Sequence, residues 1–215
     1  MELFWYGHSC FRITERGMCS VVIDPFDHRV VGYFSHKIKT DIVAVSHDAP
    51  GHNFINATKG ATHFINGPGE YEIGGVFITA VQTNGKGKKQ VDSTRNTLYL
   101  FDYDGLTVAH LGDLKQVPTQ SELEALGAVN IVLLPIGGGT GLNAAKAAEV
   151  VSQLDPNIII PMHFHTEDSP LELDTLDKFI KEMGLQPIEP IQSLKISKSV
   201  LPSESKVVVL NYQMG

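Results

Sequence analysis

Residues 41–53 read Asp-Ile-Val-Ala-Val-Ser-His-Asp-Ala-Pro-Gly-His-Asn. The apolar run 42–45 predicts a buried strand, and the chain leaves it through His47 and His52, which are separated by a turn containing Pro and Gly. Such a turn lets both imidazoles point back to a common point above the sheet. The segment therefore predicts the entrance of a metal site at the carboxyl end of a strand.

Histidine and aspartate recur at other predicted strand ends and turns. These residues are His8, Asp24, Asp113, His163 and His165. In layered α/β proteins, functional sites assemble in the loops beyond the carboxyl ends of strands. The pattern predicts that these loops contribute to a single site.

The N-terminal half predicts strands, because β-branched and aromatic runs alternate with Gly, Asp and Asn. The predicted strands cover residues 3–6, 10–14, 20–24, 42–46, 62–65, 76–81, 97–103 and 106–111. Asp104 and Gly105 lie between the last two, and this pair predicts a tight hairpin because both residue types accept positive φ angles.

The C-terminal half predicts alternating strands and helices. Strands are expected at 130–136 and 157–161, helices at 118–126, 144–154 and 171–183, and a closing strand or hairpin at 192–210. The predicted fold class is α/β (α+β), a four-layer αββα sandwich with two mixed β-sheets and helices on the outer faces. One domain spanning residues 1–215 is expected, since this length suits a single core.

Charge and composition limit the classes of partner. The net charge of -7 argues against nucleic acid and anionic membranes, and no apolar stretch approaches the roughly 20 residues of a membrane helix. The N-terminal residues lack a signal-peptide pattern, and Cys10 and Cys19 are not in a C-x-x-C arrangement. A cytoplasmic protein is therefore expected, and a homo-oligomer is compatible with the sequence.

Several segments, in this order and spacing, carry a family resemblance: 7–11, 24–25, 46–53, 67–71, 110–113, 134–138 and 160–163. Together they resemble the metallo-β-lactamase fold superfamily, in particular a zinc-dependent hydrolase branch that includes sugar-phosphate lactonases of the ascorbate-phosphate type. The resemblance spans nearly the whole chain and implies the same sandwich fold.

Four positions match metal ligands of that family: His47, His52, Asp113 and His163. They correspond to the first and last imidazoles of the H-x-H-x-D-H motif, the carboxylate that bridges two metals, and the final imidazole. Other ligands of the pattern are missing. Ala49 and Gly51 replace a histidine and an aspartate of the motif, and residues 82–84 contain no histidine where the family has one.

The remaining ligands imply one divalent metal ion, held by His52, Asp113 and His163, with a fourth contact from Asp48 or His47. Zinc is preferred, and manganese or iron also suits two imidazoles and a carboxylate. If the site is vestigial, no metal is expected.

The resemblance implies a metal-dependent hydrolase of an ester, lactone or phosphoester. In that activity Asp113 would orient a metal-activated hydroxide, and His8 or His165 would protonate the leaving group. The alternative is a catalytically silent member of the superfamily that acts as a metal-free binding or assembly module.

The expected partner is a small-molecule substrate, and a phosphorylated one is suggested by the glycine-rich run 137–141 between a strand and a helix. Backbone N–H groups at such a junction can cradle a phosphate. A tight structural turn is the alternative, because the run lacks a P-loop lysine.

Overall fold

The computed structural model describes residues 1–83, 95–139 and 141–214. In chain order its strands are β1 (Glu2–Trp5), β2 (Phe11–Thr14), β3 (Val21–Ile23), β4 (Ile38–Lys39), β5 (Ile42–Ala44), β6 (Thr58–Lys59), β7 (His63–Ile65), β8 (Gly69–Ile73), β9 (Val76–Thr83), β10 (Asn96–Tyr103), β11 (Leu106–His110), β12 (Ile131–Pro135), β13 (Ile158–Met162), β14 (Leu194–Lys195) and β15 (Lys206–Val207). The helices are α1 (His28–Val31), α2 (Gln120–Leu126), α3 (Ala144–Leu154) and α4 (Leu176–Glu182).

The strands form two large mixed sheets and one small pair. The first sheet has the order β14-β1-β2-β3-β5-β7 and the second has the order β15-β13-β12-β11-β10-β9-β8, while β4 pairs with β6. Within the first sheet β3, β5 and β7 are parallel, and within the second β11, β12 and β13 are parallel. Parallel neighbours bring their carboxyl ends to one edge of each sheet, and the loops that follow them are therefore close together.

One hydrophobic core joins the two sheets. Ile23 and Ile42 from the first sheet belong to the same buried cluster as Phe101 and Val108 from the second. Strands β12 and β13 are buried at every position, as expected for parallel strands that are covered on both faces. The mixed sheets and their helices confirm the predicted sandwich fold class.

The predicted strands of the N-terminal half, and the two of the C-terminal half, all occur within two residues of their expected bounds. Asp104 and Gly105 have φ angles of 55° and 78°, which confirms the tight hairpin between β10 and β11. Strand β8 was missed, because its Gly and Glu residues have low β-propensity and it forms through pairing with β9.

Two predictions for the C-terminal region are wrong in part. Helix α4 begins at Leu176, not at Leu171, because the backbone of Asp174 is already used: its N–H donates to Gly137 and its carbonyl accepts from His165. Residues 192–210 close the fold without forming a hairpin, since β14 pairs with β1 and β15 pairs with β13 in the other sheet.

Among the described residues, no helix has the length and apolar character needed to cross a bilayer.

Candidate metal centre

Both sheets deliver side chains to one site. Asp24 follows β3, the loop that carries His52 follows β5, and His163 follows β13. His8 lies in the turn between β1 and β2, and its carbonyl accepts a 3.0 Å hydrogen bond from the N–H of His163. The carboxyl ends of strands from two sheets therefore meet at His8 and His163, as the sequence pattern predicted.

Three imidazoles form the centre of this site. One nitrogen each from His8, His52 and His163 lies within 4.8 Å of the others. The Nε2 atoms of His8 and His52 are 3.1 Å apart. Ligand nitrogens at about 2.0 Å from a tetrahedral zinc ion lie about 3.3 Å from one another, so two of the three nitrogens are already at nearly that spacing.

Asp24 fixes the orientation of His52. Its Oδ2 atom is 2.9 Å from Nδ1 of His52 and accepts a 2.6 Å hydrogen bond from the hydroxyl of Ser46. Its Oδ1 atom accepts a 2.7 Å hydrogen bond from the N–H of Ser46. Burial alone would raise the pKa of Asp24. The charge of His52 and its hydrogen bond are the largest of the effects that oppose burial, and the resulting pKa is about 2. An ionised Asp24 accepts a hydrogen bond from Nδ1 of His52, and this orients the ring so that Nε2 faces His8.

Burial favours the neutral form of two of these imidazoles, His8 and His163. Burial is the main cause that lowers the pKa of His8 well below its usual value, and the charges of His163 and His52 add to it. Burial also lowers the pKa of His163 to about 4, against the raising effect of Asp113. Neutral imidazoles at pH 7 carry the lone pair that a metal ligand needs.

The backbone at this site is unusual. His8, Asp24 and His163 have φ angles of 50°, 48° and 52°, which lie in the left-handed region that non-glycine residues seldom occupy. Each such residue costs about 1–3 kcal/mol, and this cost is tolerated where the surrounding structure holds the conformation for a function. The loops around His8, Asp24 and His163 therefore hold these three residues in their left-handed backbone conformation.

The absence of a side chain at Gly51 leaves space for the ring of His8 beside His52 and His163. A Cβ atom at Gly51 would lie 3.0 Å from Nε2 of His8 and 3.1 Å from Cγ1 of Val31. Position 51 is where the family motif has an aspartate. In this chain the ring of His8 occupies the space in front of that position.

Asp113 lies at the edge of the centre. Its Oδ1 atom is 3.9 Å from Nε2 of His163, and this oxygen is buried without a hydrogen-bond partner among the described residues. The Nδ1 atom of His8 is also buried without a partner there. Buried polar atoms are nearly always paired. The unpaired Oδ1 atom of Asp113 beside three imidazoles is what a metal ion with its water would satisfy, and the residues therefore fit a divalent ion.

His47 is beside the centre, and His165 is not part of it. The rings of His47 and His52 have centroids 4.1 Å apart, and Nδ1 of His47 is 3.0 Å from the hydroxyl of Ser46. Burial is the main cause that lowers the pKa of His47 to about 4. His165 is exposed, and its backbone N–H donates to Asp174.

His110 supports the loop that carries Asp113. Its Nε2 atom is 2.8 Å from the carbonyl oxygen of Ser9, and its Nδ1 atom accepts from the N–H of Gly112 at 3.1 Å. The Nδ1 lone pair and the Nε2 proton are therefore both used. This fully buried imidazole ties the His8 turn to the end of β11.

The glycine run at 137–141 packs closely against its surroundings. A Cβ atom at Gly137 would lie 2.1 Å from the carbonyl oxygen of His163, and one at Gly138 would lie 2.7 Å from a carboxylate oxygen of Asp174. These contacts give the glycines a packing role next to His163. Thr140 lies outside the described residues.

Residues 2–163 match the protein family described as the beta-lactamase superfamily domain. The match covers more than half of the chain, which therefore belongs to that superfamily and confirms the resemblance at this level. Within the superfamily the chain belongs to the UPF0173 family. It is 31% identical over 186 residues to a UPF0173 protein of Pyrococcus furiosus, covering 77% of this chain and 84% of the relative. A UPF0173 metal-dependent hydrolase of Thermoplasma acidophilum is 25% identical over 192 residues, covering 78% and 85%.

Solved structures agree with this placement. The crystal structure of a Thermotoga maritima protein, assigned as a Zn-dependent hydrolase of the metallo-β-lactamase superfamily, has a TM-score of 0.78 and 31% identity, with 97% of each chain covered. A metallo hydrolase of Ignicoccus hospitalis has a TM-score of 0.66 at 20% identity, covering 91% of this chain and 99% of that one. The second likeness is one of fold alone. The narrower likeness to sugar-phosphate lactonases stays a prediction.

Proposed function

We propose that the protein is a metal-dependent hydrolase that works with one divalent ion, zinc by preference, held by His8, His52 and His163. The convergence of three imidazoles within 4.8 Å is the observation that carries this proposal. Three protein ligands with an open fourth position are the usual form of a catalytic zinc site. Relatives in Thermoplasma acidophilum and Lysinibacillus sphaericus are named metal-dependent hydrolases, which supports the same activity here.

His8 takes a role different from the one expected from the sequence. As a third imidazole, 3.1 Å from His52, it compensates for ligands that the motif has lost. The sequence prediction gave His8 the protonation of the leaving group and gave His47 a place among the metal contacts. The geometry supports the reverse assignment, with His8 as ligand and His47 as a neighbouring proton carrier.

When bound, a divalent zinc ion supplies Lewis acidity and a water molecule activated for attack near neutral pH. Asp113 would orient such a water and accept its proton through the unpaired Oδ1 atom. His47 would take up that proton from Asp113, whose charge acts on its ring, and would pass it to the leaving group, because the low pKa of His47 makes the protonated ring a strong acid. His165 is exposed and is less suited to this step.

A cleft beside His47 supports an uncharged ester or lactone as the substrate. Its volume is about 430 Å³, and it is lined by Val43, Val45, His47, Asp48, Asn53, Ile55, Phe64, Ile65 and Asn66. The aliphatic and aromatic side chains suit an apolar acyl group, and the two amides can hydrogen-bond a carbonyl or ring oxygen. Asp48 is the one charged residue in the described lining, and its carboxylate would repel a phosphate.

Metal analysis of matched variants tests the proposal. We expect the dialysed, zinc-loaded protein to retain about one equivalent of zinc. His8→Asn and His163→Asn should each lower zinc affinity at least about 100-fold; asparagine is chosen because it tolerates the positive φ angles at these positions. His165→Asn is the control, since this exposed residue lies on the same loop, and it should bind zinc as the unchanged protein does.

The catalytically silent module is the competing function. The hydrogen bond between His8 and His52 at 3.1 Å favours it, because this bond already pairs the two nitrogens without an ion. Less than stoichiometric metal after loading with zinc, manganese or iron would support the silent module and would remove the hydrolase proposal. Hydrolysis of p-nitrophenyl butyrate or a simple lactone that follows zinc content across the variants would support the enzyme.

A further inference from the structure

A second cavity lies apart from the three imidazoles. It has a volume of about 280 Å³, and its apolar lining includes Cys10, Phe26, Ile38 and Phe54. Cys10, Phe26 and Ile38 belong to a small buried cluster that is separate from the main core. Ligand pockets usually begin at about 300 Å³, so the size suits a molecule built on a single aromatic ring.

Basic side chains surround this apolar interior. His28, Arg29, His36 and Lys37 all line the cavity, and no carboxylate is among the described lining residues. This is unusual in a chain whose net charge is -7. The guanidinium of Arg29 lies over the ring of Phe54, 5.9 Å from its centroid, at one wall. An apolar interior with cationic walls favours an organic anion.

The charges at the walls favour a single negative charge. Arg29 is already neutralised by Asp27, with Nε–Oδ1 and Nη2–Oδ2 distances of 2.9 and 2.6 Å. Lys37 bonds the carbonyl oxygen of Asn56, and no carboxylate pairs with it among the described residues. One cation is thus uncompensated. A buried Nε2 atom of His36 also has no hydrogen-bond partner, and it can bond a ligand oxygen.

The cavity is connected to the candidate metal centre through short pieces of chain. Cys10, Phe26 and Phe54 are each two residues from a member of that centre, namely His8, Asp24 and His52 respectively. The N–H of Phe54 donates to the carbonyl of Pro25 at 2.7 Å, and that of Asp27 donates to the carbonyl of Pro50 at 3.0 Å. The cavity wall and the metal loops therefore share one hydrogen-bonded framework.

We propose that this cavity is a binding site for a small aromatic monocarboxylate, with the ring between Phe26 and Phe54 and the carboxylate at Lys37 and His36. Offset aromatic contacts and an apolar floor would hold the ring. The charge-assisted bond to Lys37 would select the anion over its neutral analogue. This site is independent of the proposed hydrolase activity.

Calorimetric titration with benzoate tests the site on metal-free protein, so that a carboxylate cannot bind through zinc. We expect benzoate to bind with one-to-one stoichiometry and benzamide to bind about tenfold more weakly. Lys37→Met keeps the aliphatic stem and should weaken benzoate binding about tenfold. Lys39→Met is the matched control, because Lys39 is exposed and does not line the cavity; it should leave the affinity unchanged.

Several results would overturn the proposal. No heat of binding at millimolar benzoate, equal affinities for benzoate and benzamide, or equal effects of the two lysine variants would each exclude a charge-selective site at Lys37. Tighter binding of phenyl phosphate than of benzoate would exclude the preference for a single negative charge. None of these results depends on whether the protein binds zinc or hydrolyses esters.

Discussion

Among the individual residues, Gly51 and His8 depend on each other, because the ring of His8 lies in the space next to Gly51. A glycine where the family motif has an aspartate removes a potential ligand, and it also leaves room for the ring of His8, which lies 3.0 Å from the position of a Cβ atom there. The loss at position 51 and the proposed gain at His8 are therefore one structural change. Restoring an aspartate at 51 would displace the imidazole that we propose as its replacement.

Gly51→Ala tests this pairing. The substitution adds one methyl group against Nε2 of His8 and Cγ1 of Val31, so the imidazole must shift by a few tenths of an ångström, and we expect zinc affinity to fall about tenfold. Zinc competition against a chromophoric chelator measures the change. Gly67→Ala is the control, since a Cβ atom there meets no atom within 4 Å. Equal affinities for the two variants would mean that His8 is not a ligand.

The residues of the site could be found from the sequence more readily than their roles. His8, His52, Asp113 and His163 were all expected near one point because they follow strands or turns, and the structure brings them together. The ligand role that we propose for His8 could not be predicted, since it depends on the space left at Gly51 and on a 3.0 Å hydrogen bond between the carbonyl of His8 and the N–H of His163. His165 shares a loop with His163, yet its ring is exposed. Sequence spacing does not give side-chain direction in an irregular loop.

At the scale of elements, local signals predicted the structure well where they agreed with the tertiary contacts. Helix α3 has the predicted bounds, and Asn143 caps it by accepting from the N–H of Lys146 at 3.0 Å. The predicted start of α4 was wrong because backbone hydrogen bonds between Asp174 and other loops override the helical pattern of residues 171–175. Long-range pairing of this kind leaves no trace in local propensity.

Helix α2 offers a test of local stabilisation. Thr119 and Glu122 form a capping box, in which the N–H of Thr119 donates to Oε2 of Glu122 at 2.7 Å and the N–H of Glu122 donates to Oγ1 of Thr119 at 3.3 Å. We expect Thr119→Ala to lower the free energy of unfolding by about 1 kcal/mol. Urea denaturation followed by circular dichroism measures it. Thr119→Ser keeps the hydroxyl and should stay close to the unchanged protein; a similar loss in both variants would argue against the cap.

At the scale of the whole molecule, the candidate centre joins the two sheets. Asp24 and His52 follow strands of the first sheet, while Asp113 and His163 follow strands of the second. The N–H of Thr97 also donates to the carbonyl of Ser46 across the sheets at 2.8 Å. An ion bound by both sides would therefore crosslink the sandwich, and its affinity for the folded state would add to global stability.

The buried imidazoles predict how this stability depends on pH in metal-free protein. The pKa of His163 is lowered from 6.5 to about 4, and that of His8 is lowered well below 6.5. At a pH between the unfolded-state and folded-state pKa values of these histidines, the unfolded chain binds protons that the folded chain does not. The free energy of unfolding must therefore fall as pH falls from 6.5 to about 4. The slope is about 1.4 kcal/mol per pH unit for each such histidine. A further loss should follow below pH 3.8 as Asp24, with a folded-state pKa of about 2, becomes protonated in the unfolded chain first.

Urea denaturation at a series of pH values, with and without zinc, measures this dependence. His163→Asn should reduce the slope between pH 6.5 and 4, whereas His63→Asn should not, because His63 is exposed on β7. Zinc at about 100 times its dissociation constant should add about 2.7 kcal/mol at pH 7. That addition should disappear toward pH 4, since protons compete for the imidazole nitrogens. A flat stability profile in the metal-free protein would mean that these imidazoles are not held neutral in the fold, and a zinc effect equal in the His163→Asn variant would place the ion elsewhere.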